Sequence, residues 1–193
     1  MRRALLSILL MLILAPALAQ TTPKIEGCIT CTDVQKVLGL MNEVIAGPDR
    51  ARTARMLRLV VDRYSAVCRT ASDAGETLCE MASAKEGERL VLSMTLDDDR
   101  RMAERSHFLW VRMKFQTPRP EKIRELGNAL GPGWHFGQSM KCLQDVWRPD
   151  PVTRTFTRIE IRGKWQDGSK CEDHIDAVEL LTTTGNSPAP RVF

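Results

Sequence analysis

The chain has 193 residues, with 28 Lys and Arg against 24 Asp and Glu for a net charge of +4, and 43% of its residues are hydrophobic. A charge this close to balance gives no basis for nucleic-acid binding, and the hydrophobic share argues against intrinsic disorder.

Met1 to Ala19, MRRALLSILLMLILAPALA, sets Arg2 and Arg3 before an apolar run from Ala4 to Leu14 and ends in Ala17-Leu18-Ala19. That is the pattern of a secretory signal peptide cleaved before Gln20. The run is shorter than the roughly 18 residues a membrane-spanning helix needs, and no later segment comes close, so a soluble periplasmic or secreted protein is expected. The Arg-Arg pair raises the twin-arginine route, but the strongly apolar run favours the general secretory one. No Cys follows the cleavage motif, so lipid attachment there is not expected. Losing the segment lowers Lys and Arg from 28 to 26 against the same 24 acids, a net charge of +2. About 174 residues then remain, enough to bury a core in one domain or two small ones.

Thr32 to Ala46 places Val34, Val37, Leu38, Met41, Val44 and Ile45 at helical spacing, and Thr32 with Gln35 can form a capping box. Gly47-Pro48-Asp49 breaks this helix, and Leu57, Val60, Val61, Tyr64 and Val67 mark a second one ending near Cys68. The two are expected to form an antiparallel hairpin. A short third helix is expected from Glu76 to about Ser83. The pattern changes at Leu90: RLVLSMTLD and HFLWVRMKFQT read as strands separated by DDDRRMAERS. EKIRELGNALG then reads as a helix with Ile123, Leu126 and Leu130 on one face, stopped by Gly131-Pro132-Gly133. WHFGQSMKCLQDVW and TRTFTRIEIRGKW read as further strands around the turn Arg148-Pro149-Asp150-Pro151. In QDGSKCEDHIDAVELL, Asp167-Gly168 signals a hairpin and a strand whereas Ser169 with Glu172 signals a capped helix, and the strand is preferred. Thr182 to Phe193 reads as a mobile tail.

The expected fold is therefore α+β. A disulfide-stapled helical part spans residues 20–87, a mainly antiparallel sheet with one helix spans 88–182, and the tail covers 183–193.

Cys28, Cys31, Cys68, Cys79, Cys142 and Cys171 all follow the signal segment, and an even count in an exported chain is most simply three disulfides. Thr32 stands where a haem-attachment motif needs His. A redox dithiol is supported by the place of Cys31 at a helix N-terminus, but no strand precedes the motif as a thioredoxin-like setting requires. A zinc site lacks a second C-x-x-C. In an antiparallel hairpin Cys28 and Cys31 would each meet Cys68 or Cys79, leaving Cys142 to pair with Cys171. The order C-x-x-C, two helices, then Cys68 and Cys79 resembles the opening half of a saposin-like domain. The resemblance covers Cys28 to Cys79, implies a Cys68 to Cys79 bridge, and ends where Cys142 and Cys171 fall in strand-like sequence.

No G-x-S-x-G or H-E-x-x-H frame accompanies His107, His135 and His174; His174, between Asp173 and Asp176, is the best placed of them and reads first as a surface histidine. Asp97-Asp98-Asp99 lacks the alternation of a calcium loop and reads as a solvated turn. Arg50, Arg52, Arg55, Arg58 and Arg63 crowd the second helix; Arg52, Arg55 and Arg58 form a candidate basic face for anionic lipid or an acidic partner, set against an ordinary solvated face. Trp110, Trp134, Trp147 and Trp165 lie among the strands and are mostly core. Trp134-His135-Phe136, after the glycine breaker, is a candidate ligand patch set against simple burial.

No cofactor or metal is expected. The leading expectation is a non-enzymatic binding protein of the cell envelope, an inhibitor, an immunity-type factor or an accessory subunit, whose partner is another envelope protein. The alternatives are an envelope hydrolase using His135 or His174, and a lipid-binding module.

Overall fold

The computed structural model describes residues 27–47, 51–71, 76–95, 108–140, 142–151, 155–166 and 170–184. Residues 1–26, which include the expected signal segment, Asp97-Asp98-Asp99, His107, Asp167-Gly168 and the chain beyond Thr184 lie outside the described residues, as does the side chain of Trp165.

Helix α1 (Ile29–Ala46) starts a turn earlier than the Thr32 and Gln35 pairing predicts. Cys28 is its N-cap, with the sulfur accepting the Cys31 N–H at 3.1 Å. Thr32 therefore lies inside the helix, and its hydroxyl donates to the Cys28 carbonyl at 3.2 Å. Helix α2 (Arg52–Tyr64) follows. Both its ends reach the C-terminal end of α1: Arg55 donates to the Val44 carbonyl, and Arg63 pairs with Glu43 at 2.6 Å. The helices thus form a connected pair, but the end of α2 is not returned to Cys28. Ser65, at φ 49°, breaks α2 and turns the chain into the sheet.

The sheet comprises β1 (Val67–Thr70), β2 (Glu76–Ala82), β3 (Arg89–Thr95), β4 (Phe108–Phe115), β5 (His135–Met140), β6 (Leu143–Asp150), β7 (Thr155–Gln166) and β8 (Lys170–Thr184), with α3 (Ile123–Ala129) between β4 and β5. Its order is β1-β2-β3-β4-β8-β7-β6-β5, antiparallel at every pairing. The fold is α+β with the sheet dominant. The helix expected from Glu76 to Ser83 is instead strand β2. Thr77, Cys79 and Met81 are buried at a period of two, and the strand is paired on both sides, so tertiary pairing overrides the helix-forming Glu, Leu and Met of ETLCEMA. The sheet thus begins at Val67, and the ambiguous stretch after Gly168 is strand β8, which runs on to Thr184.

The disulfide pairing corrects the expectation for the first four cysteines. Cys28 bonds Cys31, with Cα atoms 5.2 Å apart, and Cys68 bonds Cys79, its direct partner across β1 and β2. The physical reason is that Val67–Thr70 is a strand and not the end of α2, and its pairing with β2 sets Cys68 opposite Cys79. The Cys68–Cys79 bridge implied by the saposin-like resemblance does form, but between strands. Cys142 bonds Cys171 as expected, and no described cysteine is free. Three disulfides are the chemistry of an oxidising compartment. No described helix is long and apolar enough to cross a membrane.

All three helices pack on one face of the sheet and share one core, in which Val34, Val37 and Met41 of α1 join Leu92, Val111 and Leu180 from the strands. Two polar clamps fix α1 there. Asp33, fully buried, accepts from the Arg119 guanidinium at 3.0 Å, from the Ser83 hydroxyl at 2.7 Å and from the Ala84 N–H at 2.6 Å. Arg119 lies over the Phe115 ring at 4.1 Å. At the helix start, the Glu121 carboxylate accepts from the Thr30 N–H at 3.0 Å and hydroxyl at 2.6 Å. Burial, the largest single influence on Glu121, raises its pKa, but hydrogen bonds from Thr30 and from the backbone of Glu121 and Ile29 together outweigh it and hold the carboxyl below its ordinary range.

Candidate functional site

No described element covers the second face of the sheet. Successive side chains of a strand point to opposite faces, so where Ile159 and Ile161 enter the core, Arg158, Glu160 and Arg162 point away from it. The register aligns Arg112 on β4 with Glu179 on β8, Glu179 with Glu160 on β7, and Glu160 with Asp145 on β6. Three carboxylates thus stand side by side across three neighbouring strands. Like charges in direct opposition destabilise a sheet, and arginines in the rows on either side offset them. Arg158 bonds Asp145 at 2.8 Å and reaches Glu160 at 3.4 Å; Arg162 pairs with Glu160 and lies 3.2 Å from Glu179; Arg112 lies 3.6 Å from Glu179. The hydrogen bond to Asp145, ahead of the opposing burial, raises the Arg158 pKa above its ordinary value.

The next row on this face is apolar and aromatic. Trp110, Leu181, Arg158, Trp147 and His135 are consecutive register partners from β4 to β5. His135 stacks on Trp147 with ring centroids 4.4 Å apart, and Trp147 stacks on Phe156 at 5.7 Å. On the other side of the charged row is a cleft of about 360 Å³ lined by Arg112, Arg162, Lys164 and Asp176 together with Met140, Leu143 and Ala177. Charged, aromatic and apolar groups therefore lie in parallel rows on one surface.

The candidate patch Trp134, His135 and Phe136 is divided by the strand. His135 belongs to the uncovered face. Phe136 points to the other side, close to Gly127 of α3, yet remains 53% exposed. Trp134 carries the Arg148 guanidinium over its ring at 4.8 Å. Of the candidate basic face, Arg52 is buried, Arg55 caps α1 and Arg58 is exposed. His174 is exposed and its backbone bridges to Lys122. Among the described residues no group of three or more His, Cys, Asp or Glu is placed to hold a metal ion.

Sequence reading missed the charged row and the two clamps on α1. The alternation of Arg158, Glu160 and Arg162 in TRIEIRG is visible in the sequence, but Asp145, Glu179 and Arg112 join it only through the order of β6, β7, β8 and β4. No protein family matches the chain, and neither a curated protein nor a solved structure resembles it significantly.

Proposed function

We propose that this is a non-catalytic binding protein of the cell envelope, periplasmic or secreted, that takes another exported protein on the uncovered face of its sheet. The observation behind the reading is the transverse row Arg112, Glu179, Glu160 and Asp145 beside the His135, Trp147 and Phe156 stack. Three carboxylates abreast work against folding and need the three arginines to offset them, so folding alone does not call for this arrangement. Interleaved charges next to half-buried aromatics suit a protein partner of complementary pattern, where charge gives specificity and aromatics give contact area. A bilayer of anionic lipid would instead favour unpaired positive charge, and here each of the three arginines is paired with an acid.

The test is Glu160→Lys, which places a third positive charge between Arg158 and Arg162. With the protein immobilised as bait, the variant should lose the envelope proteins that the wild type retains while melting within a few degrees of it. Retention of the same proteins by a folded variant would contradict the reading.

A further inference from the structure

The Cys28–Cys31 disulfide has a sequence separation of 3, against 11 and 29 for the other two, and so constrains the unfolded chain least. Its place also differs. Cys68–Cys79 and Cys142–Cys171 tie different strands or loops together, whereas Cys28 and Cys31 share the first turn of α1. Opening it parts no two elements, and the clamp through Asp33 and the burial of Val34 and Val37 still hold the helix on the sheet.

The two residues are unequally placed: both are buried, but Cys28 keeps 8% of its surface and Cys31 none. Beside Cys28, no heavy atom of the described residues other than Gly27 and its chain neighbours lies within 4 Å of where a Cβ on Gly27 would stand. The Cys31 N–H already points at the Cys28 sulfur from 3.1 Å, the contact that would hold a Cys28 thiolate, and the start of α1 favours negative charge.

We infer that Cys28–Cys31 is a thiol–disulfide exchange site that accepts two electrons from a dithiol on another exported polypeptide. A substrate thiolate attacks the Cys28 sulfur, the bond to Cys31 breaks, and Cys31 leaves with the electron pair and takes up a proton. The second substrate thiolate then attacks the substrate sulfur of this mixed disulfide. A disulfide forms within the substrate, the bond to Cys28 breaks, and Cys28 leaves as a thiolate held by the Cys31 N–H. The substrate is oxidised, the pair is reduced, and the protons released by the two substrate thiols pass to the pair and to solvent.

Glu121 is a positioning residue for this site. Its carboxylate bonds Thr30, which stands between the two cysteines, so a fixed negative charge lies at the helix start where the thiolate would form. That charge opposes the thiolate and favours the disulfide. Glu121→Gln should therefore make the pair easier to reduce.

The experiment is a titration of the full mature protein in glutathione buffers, with alkylation and peptide mass following each disulfide separately. Cys28–Cys31 should open first, with the other two bridges closed and the circular dichroism unchanged. Glu121→Gln should shift its exchange equilibrium roughly threefold or more toward the dithiol. The wild type should oxidise one equivalent of a two-cysteine peptide, a one-cysteine peptide should instead stay bonded to Cys28 once the released Cys31 thiol is alkylated, and Cys28→Ser should do neither. Opening only together with the other bridges, opening only on unfolding, or an unshifted midpoint in a normally melting Glu121→Gln protein would each overturn the inference. The wild-type titration decides the matter even if a variant fails to fold.

Discussion

Asp33 of α1 and Arg119 of the β4 to α3 connection form an ion pair at 3.0 Å with neither side chain exposed to solvent. The pair joins residues 86 positions apart and seats the N-terminal helix on a sheet built largely from later sequence. Arg119 is further held by the Ser83 hydroxyl at 2.7 Å and by its own N–H, which donates to the Ile175 carbonyl at 3.2 Å.

Removing Asp33 takes from the buried Arg119 guanidinium its nearer acid and leaves Glu88, 3.7 Å away, to balance the charge. Asp33→Ala should lower the unfolding free energy by about 3–5 kcal/mol, whereas joining Asp33→Leu to Arg119→Met should cost far less than the two single changes summed. Urea unfolding of the three variants measures this, and simple additivity would contradict the clamp.

The last disulfide should act on the sheet and leave the helices alone. The Cys142 carbonyl accepts from the Gly163 N–H at 3.0 Å, and a Cβ on Gly163 would lie 2.5 Å from the Glu172 carbonyl oxygen. Cys142→Ser should cost about 3–4 kcal/mol in the chain-entropy account, and Gly163→Ala should also destabilise because backbone has to move. Hydrogen exchange should quicken in β6, β7 and β8 while α1 keeps its protection; an equal loss in α1 would contradict this local effect.

Glu121 makes stability depend on acid. Its folded pKa lies below the unfolded one, so its contribution is fully present above the unfolded pKa and is lost as pH falls through the folded value. Glu121→Gln should remove part of the decline in stability below about pH 4.3. Melting temperatures of both proteins from neutral pH downward check it, and parallel curves would count against the Glu121 to Thr30 contact.

How much could be read in advance depended on whether a feature was local. The alternation in RLVLSMTLD, HFLWVRMKFQT and TRTFTRIEIRGKW gave β3, β4 and β7, because a strand with one buried face repeats every two residues. ETLCEMA failed by the same test. Its buried Thr77, Cys79 and Met81 alternate, but Glu76, Leu78, Glu80 and Ala82 between them carry helix-forming chemistry. The even cysteine count gave three bridges, whereas the partners of Cys28 and Cys31 depended on where Cys68 falls, and strand β1 sets it opposite Cys79. The candidate face was legible on β7 alone. Glu179 and Asp145 flank Glu160 only because β8 and β6 flank β7, and strand order is not written in any one segment.

The most direct measurement of the proposed binding face is photo-crosslinking in the producing cells from single positions on the two sides of the sheet. Lys114 lies beside the charged row on the uncovered face, and Arg58 lies on the exposed side of α2. A crosslinking residue at 114 should capture one discrete protein species, and one at 58 should capture none. Capture of a discrete species from 58 with none from 114 would contradict binding on the uncovered face.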